Sequence, residues 1–543
     1  MAATPRATSI FLNAQMLTLD PHLPRAEALA VQGERILAVG RQDEILAWAG
    51  PQTSTENLHA QFVIPGLQDS HLHLLSWGWT LDGVQLAGVR SIPEVIARGQ
   101  AYLRENPGRE WIVGRGFNEE LFSSRRLPTK EDLDQISRTH PVLFTRVCGH
   151  ICCVNSQALQ LAGIGASTAD PPGGRIDRED QTGEPTGVLR ENAIELVTRL
   201  LPSPTVEDLK RVIRRASAAA AALGLTTVQS NDLHGAADLQ DRLQAYRELD
   251  QSGELPIRII LQATMPTLAD LRAYLDLYHS FRPSSKLQLG PLKLFADGSL
   301  GGRTAALSRP YADDPQTDGM LIYEQEELNE LICTAAQHNL QVAVHAIGDR
   351  ALDQVLNGFA RARELYPAWS RRPRVIHAQI TRADQLERMA KLGVTADIQP
   401  IFVPTDLHFA ERRIGPELAR CAYSWKTMHS LGIPTAGGSD CPVEPCNPFW
   451  GMHAALTRQD REGYPPGGWL PHERLSPTEA LQLFTLGPAY AAHEEGLSGS
   501  LTPGKRADFV VLPRNPLEIE PEGLLTLAST ATYVGGNRVH PKN

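Results

Sequence analysis

From residue 216 to about 489 the chain repeats one unit, a short apolar run followed by an amphipathic stretch. The apolar runs are TTVQS (226–230), IRIILQAT (257–264), PLKLFAD (291–297), QVAVHAI (341–347), RVIHAQI (374–380), VTADIQP (394–400) and PTAGGSD (434–440). Between them lie patterns such as VEDLKRVIRRASAAAAALG and ADQLERMAKLG, both ending in Leu-Gly, a helix stop signal. Strands alternating with helices imply βα units and a parallel sheet. The run before His71 brings the strands to eight, so the chain is expected to be an α/β protein built on a (β/α)8 TIM-like barrel.

Both ends of the chain read differently. Residues 8–60 and the stretches GSLTPGKRADFVVLPRNPLE and TATYVGGNRVH are β-rich, with turns at Gly33 and Gly40. Chain ends often lie close together. Segments 1–62 and 490–543 are therefore expected to form one β-sandwich, leaving 63–80 and 216–489 for the barrel. From 81 to 215 the repeat breaks down, and this stretch reads as an α/β insertion after the first strand. Such an insertion would sit over the C-terminal mouth of a barrel, where ligands bind.

Charge and composition remove several functions. A net charge of −10 and a pI near 6.0 argue against a nucleic-acid partner and give no attraction to anionic membranes. No apolar stretch approaches the roughly 20 residues that span a bilayer, and the first residues lack a secretory pattern. Seven scattered cysteines without a CxxC repeat suit a reducing cytoplasm. The expected partner is a small-molecule substrate, and the reading leaves room for a homodimer.

The chemistry concentrates at strand ends. His71 and His73 in VIPGLQDSHLHL are two apart, so on an extended strand they project to one side and can share a metal ion. His345 ends the fifth strand, His377 the sixth and Asp440 the eighth, while Lys293 sits inside the fourth. Several polar residues in this order, in apolar strands running to one mouth, are hard to explain as packing.

Together these stretches resemble the amidohydrolase superfamily, and within it the deformylase-like branch related to N-substituted formamide deformylase, amidohydrolase family 3. The resemblance extends through WIVGRGFNEELF, GHICCVNSQAL, LKLFADGSLGGRTAAL, VAVHAIGDRALD, GGSDCPVEPCNPFW and GSLTPGKRADFVVL. It implies that His71 and His73 bind the more buried of two metals and that His345 and His377 hold the second. Lys293 would be carboxylated by CO₂ and bridge them. The alternatives are an ion pair of Lys293 with Asp297, or a single-metal site. Asp440 would ligate the first metal and take a proton from the attacking water.

Zinc, as one or two ions, suits these ligands, and a bound water then reaches a pKa near 7. The resemblance makes His150 a residue facing the substrate, against a buried histidine bonded to backbone. Arg303 follows the fourth strand and could bind a substrate carboxylate or carbonyl, or form a surface salt bridge. Trp77, Phe122, Phe402 and Trp450 hint at an apolar pocket. The implied activity is metal-dependent hydrolysis of an amide-like C–N bond in a small molecule. A deaminase, cyclic-amide hydrolase or carbamate esterase would use the same constellation. A non-catalytic binding protein on the same barrel is the alternative from another class.

Overall fold

The computed structural model describes residues 6–146, 149 and 151–541. By its internal contacts the chain divides into two units, Met1–Leu74 with Ala216–Asn543, and Leu75–Arg215.

In the first unit eight strands form one sheet: β1 Leu67–Leu72, β2 Leu225–His234, β3 Arg258–Thr264, β4 Leu287–Phe295, β5 Val342–Ala346, β6 Arg374–His377, β7 Thr395–Ile398 and β8 Thr435–Gly437. Neighbours follow chain order and every pairing is parallel. Crossover helices return the chain to the same end each time, which is how βα repeats build a parallel sheet. Every residue of β1, β5, β6 and β7 is buried. Strands covered on both faces carry continuous apolar runs rather than alternating ones.

The sheet curls until its two ends meet. Asp440 N–H donates to the His71 carbonyl and His73 N–H to the Cys441 carbonyl, both at 2.8 Å. Gly438 permits this approach, because a Cβ there would lie 2.9 Å from His71 N and 3.0 Å from its carbonyl oxygen. The α/β, TIM-like barrel predicted from the alternation is therefore the fold. β8 is shorter than its apolar run and ends at Gly437, and the residues after it, Gly438 to Cys441, lie against the backbone of β1. The helices Val206–Ala222 and Ala383–Leu392 occupy the amphipathic stretches, and Gly393 closes the second with φ +65°.

Two further sheets are built from the chain ends, the first from both ends and the second from the N-terminal end alone. One runs Asn537–His540, Ala531–Val534, Phe509–Leu512, Phe62–Pro65, Gln15–Leu17, Arg25–Ala26. The other runs Arg35–Gly40, Ala28–Gln32, Ser9–Leu12, Ser54–Asn57. Phe11, Val31, Ile36, Val63, Phe509 and Tyr533 from both sheets share one core. Within it the Phe509 and Tyr533 rings stack at 4.4 Å. Phe62–Pro65 continues through Gly66 into β1, and a Cβ at Gly66 would collide with Thr226 Oγ1 at 2.2 Å. At the opposite end of the barrel from the strand-end histidines, Arg258 of β3 pairs with Asp508 at 2.8 Å, both buried.

The second unit has its own six-stranded mixed sheet and a core around Val95, Ile112, Phe117 and Phe144. Among the described residues no helix is long and apolar enough to cross a membrane, and six cysteines are free thiols.

Candidate metal centre

The C-terminal ends of the barrel strands carry the histidines. His71 Nε2 lies 3.2 Å and His73 Nε2 3.1 Å from the same oxygen, Asp440 Oδ1. Ligand atoms from these three residues fall within 4.8 Å of one another. The ring of His377 lies 6.0 Å from that of His71 and 4.5 Å from that of His345. His377 and Asp440 are held at φ +78° and +57°, a region that side-chain-bearing residues avoid unless the surroundings impose it.

Each histidine is oriented by a second bond. His71 Nδ1 meets Gln262 Oε1 at 2.8 Å, and Gln262 Nε2 donates to the Ser70 carbonyl at 3.1 Å, which fixes the amide's direction. His377 Nδ1 meets Gln399 Oε1 at 2.7 Å, and Gln399 Nε2 donates to the Asp397 carbonyl at 3.0 Å. His73 Nδ1 faces the Asn231 carbonyl at 3.2 Å. In each case Nδ1 carries the hydrogen and Nε2 the lone pair. His345 is turned the other way: its Nε2 faces the Gly298 carbonyl at 3.0 Å and Asp297 at 3.2 Å, which leaves Nδ1 as the acceptor.

Two imidazole lone pairs therefore face one carboxylate oxygen at about 3 Å. Three acceptors in such a place require a cation among them, a proton or a metal ion. The donor set, nitrogen and carboxylate with oriented imidazoles, fits a divalent transition metal.

The titration behaviour follows from burial and from this pairing. Burial would raise Asp440, but bonds to His71 and His73 outweigh it and hold the carboxyl well below its usual range. The two imidazoles touch the same oxygen yet shift oppositely. His71, 1% exposed, is pushed down to about 4 by desolvation. His73, 20% exposed, also loses hydration, but the bond to Asp440 wins and its pKa is raised. His377 is driven well below its ordinary value by burial and by His345.

Lys293 is fully buried, and desolvation lowers its amine to about 7. Its Nζ lies 3.6 Å from the centre of the Phe295 ring and 3.3 Å from the Leu294 carbonyl. It does not pair with Asp297. That carboxylate instead accepts from Ala306, Ile347 and Gly348 backbone N–H groups at 2.8–3.0 Å and faces His345.

Arg303, on the loop after β4, makes a two-pronged pair with Asp313 at 3.0 and 3.1 Å. His150 lies outside the described residues. Phe402 stacks on His377 at 5.8 Å, whereas Trp450 bonds to the Leu525 carbonyl.

Sequence reasoning missed Gln262, Gln399 and Asp69. Asp69 accepts from His71 N–H at 3.0 Å and Ser439 N–H at 3.1 Å, clamping β1 to the turn after β8. The available signal was a polar residue within buried strands β1 and β3 and one position beyond β7.

An eight-stranded parallel barrel with this cluster at its C-terminal end defines a metal-dependent hydrolase. The chain belongs to the amidohydrolase family, which matches residues 55–540. It is 34% identical over 522 residues to YtcJ, an amidohydrolase-family protein of Bacillus subtilis (strain 168), covering 96% of this chain and 97% of that one. It is 29% identical over 544 residues to N-substituted formamide deformylase of Arthrobacter pascens, covering 97% of each. A crystal structure of an uncharacterized metal-dependent hydrolase from Pyrococcus furiosus superposes with a TM-score of 0.77 at 33% identity, covering 94% of this chain and 100% of that one.

Proposed function

We propose that this protein hydrolyses an amide-like C–N bond of a small molecule in the cytoplasm. The observation that carries the reading is the convergence of the His71 and His73 lone pairs on Asp440 Oδ1, with each ring held from behind. His71, His73 and Asp440 would hold one divalent ion, with zinc the best match to nitrogen and carboxylate donors. His345 and His377 would hold a second. When bound, such an ion lowers the pKa of water and polarises a carbonyl.

The chain's own groups supply the rest. Asp440 Oδ1, ionised at neutral pH, accepts the proton of the attacking water and passes it to the leaving nitrogen. Lys293 has a large neutral fraction near pH 7, so its amine can add CO₂, the new N–C bond forming as an N–H proton is lost to solvent, and the resulting carbamate would offer two oxygens as ligands. The full-length similarity to a formamide deformylase supports a small amide substrate.

The test is metal analysis of the purified protein, followed by a screen of N-formyl, N-acyl and cyclic amides with zinc- and manganese-loaded enzyme. Bound metal and release of amine from at least one class are expected. Folded, full-length protein that binds neither metal and cleaves none of these would overturn the reading in favour of a binding protein.

A further inference from the structure

We propose that the loops after β6, β7 and β8 form a subsite for a cationic end of the substrate, an ammonium, amidinium or guanidinium group remote from the bond cut. The inference rests on the hydrolase reading above and adds the substrate's charge.

Three residues carry it. Gln379 lies two positions beyond His377, Asp406 ends the short helix Val403–Asp406, and Glu444 lies four positions beyond Asp440. All follow C-terminal ends of barrel strands, the end that bears the histidines. Phe402, stacked on His377, leads directly into the Asp406 helix and ties the acids to the histidine cluster.

Gln379 is 3% exposed, and its Nε2 donates to Asp406 Oδ2 at 3.2 Å. The other end of that amide, Oε1, is buried with no hydrogen-bond partner. An unmet buried acceptor is costly unless a donor reaches it. Asp406 also accepts from the Tyr423 hydroxyl, and Glu444 Oε1 accepts from Thr405 Oγ1 at 2.6 Å.

Among the described residues, neither Asp406 nor Glu444 has an ion-pair partner. Three other deep carboxylates of this unit do, Asp397 with Arg374 at 2.6 Å, Asp508 with Arg258 at 2.8 Å and Glu494 with Arg506 at 2.8 Å, while Asp69 is met by backbone N–H groups instead. Both unpaired acids keep partial access to solvent. Burial, with Glu444 adding to it, raises Asp406 to about 7, and burial raises Glu444 as well, against the opposing charge of Arg461, which makes no ion pair with it. The arrangement thus holds two acids to one nearby cation, and the buried Gln379 Oε1 still lacks a donor. An organic cation with several N–H groups supplies what is missing, since hydrogen bonds to ionised groups are the stronger ones.

The test compares benzamidine with benzamide, a cation and its neutral match, by calorimetric titration of the metal-loaded full-length protein. Benzamidine should bind at least about tenfold tighter, and Glu444→Gln should remove most of that preference. Equal affinities in the unmodified protein would overturn the proposal. So would a preference that survives in folded Glu444→Gln and Glu444→Ala, or loss in Glu444→Gln of a further bound divalent ion. In parallel, N-formylbenzylamine and its para-aminomethyl analogue are assayed for formate release. The cationic compound should have the higher kcat/KM, with the ratio reduced in Glu444→Gln. Release from neither counts against hydrolysis of formamides, while the benzamidine comparison still decides the subsite.

Discussion

His73 and Asp440 share a charge that a metal ion must displace. Because the His73 pKa is raised by Asp440, its Nε2 holds a proton below that value and offers no lone pair. Metal affinity should therefore be independent of this group above the raised pKa and weaken about tenfold per pH unit below it. Calorimetry in buffers of different ionisation enthalpy should detect up to one proton released per ion, and a flat pH profile would exclude the pairing. Asp440→Asn keeps an oxygen for the ion but cannot hold the water's proton at neutral pH. Turnover should fall roughly a hundred- to ten-thousand-fold, with metal content largely kept, as measured by kcat beside elemental analysis. The strand-end histidines His71, His73, His345 and His377, and Lys293 inside β4, are visible in the sequence because each stands out in its own apolar run. Gln262 and Gln399 were not legible as partners. A glutamine in a buried strand looks the same whether it orients an imidazole or fills a core, and Gln262 meets a histidine 191 positions away.

At the scale of elements, the seam between β1 and the turn after β8 is where structure and site coincide. Gly438 allows the two backbones to touch, and Asp69 holds them together through His71 and Ser439 N–H groups. Gly438→Ala should force the seam apart at about 1–3 kcal/mol and lower metal content together with stability. Urea unfolding and elemental analysis on the same sample check this, and unchanged metal content would separate the seam from the site. The barrel strands were legible because strands buried on both faces leave continuous apolar runs. The end of β8 was not, since the close approach at Gly438 answers to the distant backbone of β1 rather than to local pattern.

Over the whole molecule, the terminal sheets are part of the barrel's support. Arg258 in β3 is paired with Asp508, and Asp508 also accepts from Gly535 N–H at 2.7 Å. Arg258→Ala leaves a buried carboxylate without its cation and should cost about 3–5 kcal/mol, read as a lower urea midpoint with an unchanged slope. A shift confined to the terminal sheets, with the barrel unfolding separately, would contradict the coupling. The long pairing of both chain ends has a further consequence during biosynthesis. His73 and Asp440 are 367 positions apart, so at ribosomal speeds of about 5–20 residues per second roughly 20–70 s separate the first ligands from the carboxylate that completes them. The nascent chain carries half a binding site for that whole interval. Metal acquisition is thereby deferred until translation has passed Asp440, when the barrel can close around the ion.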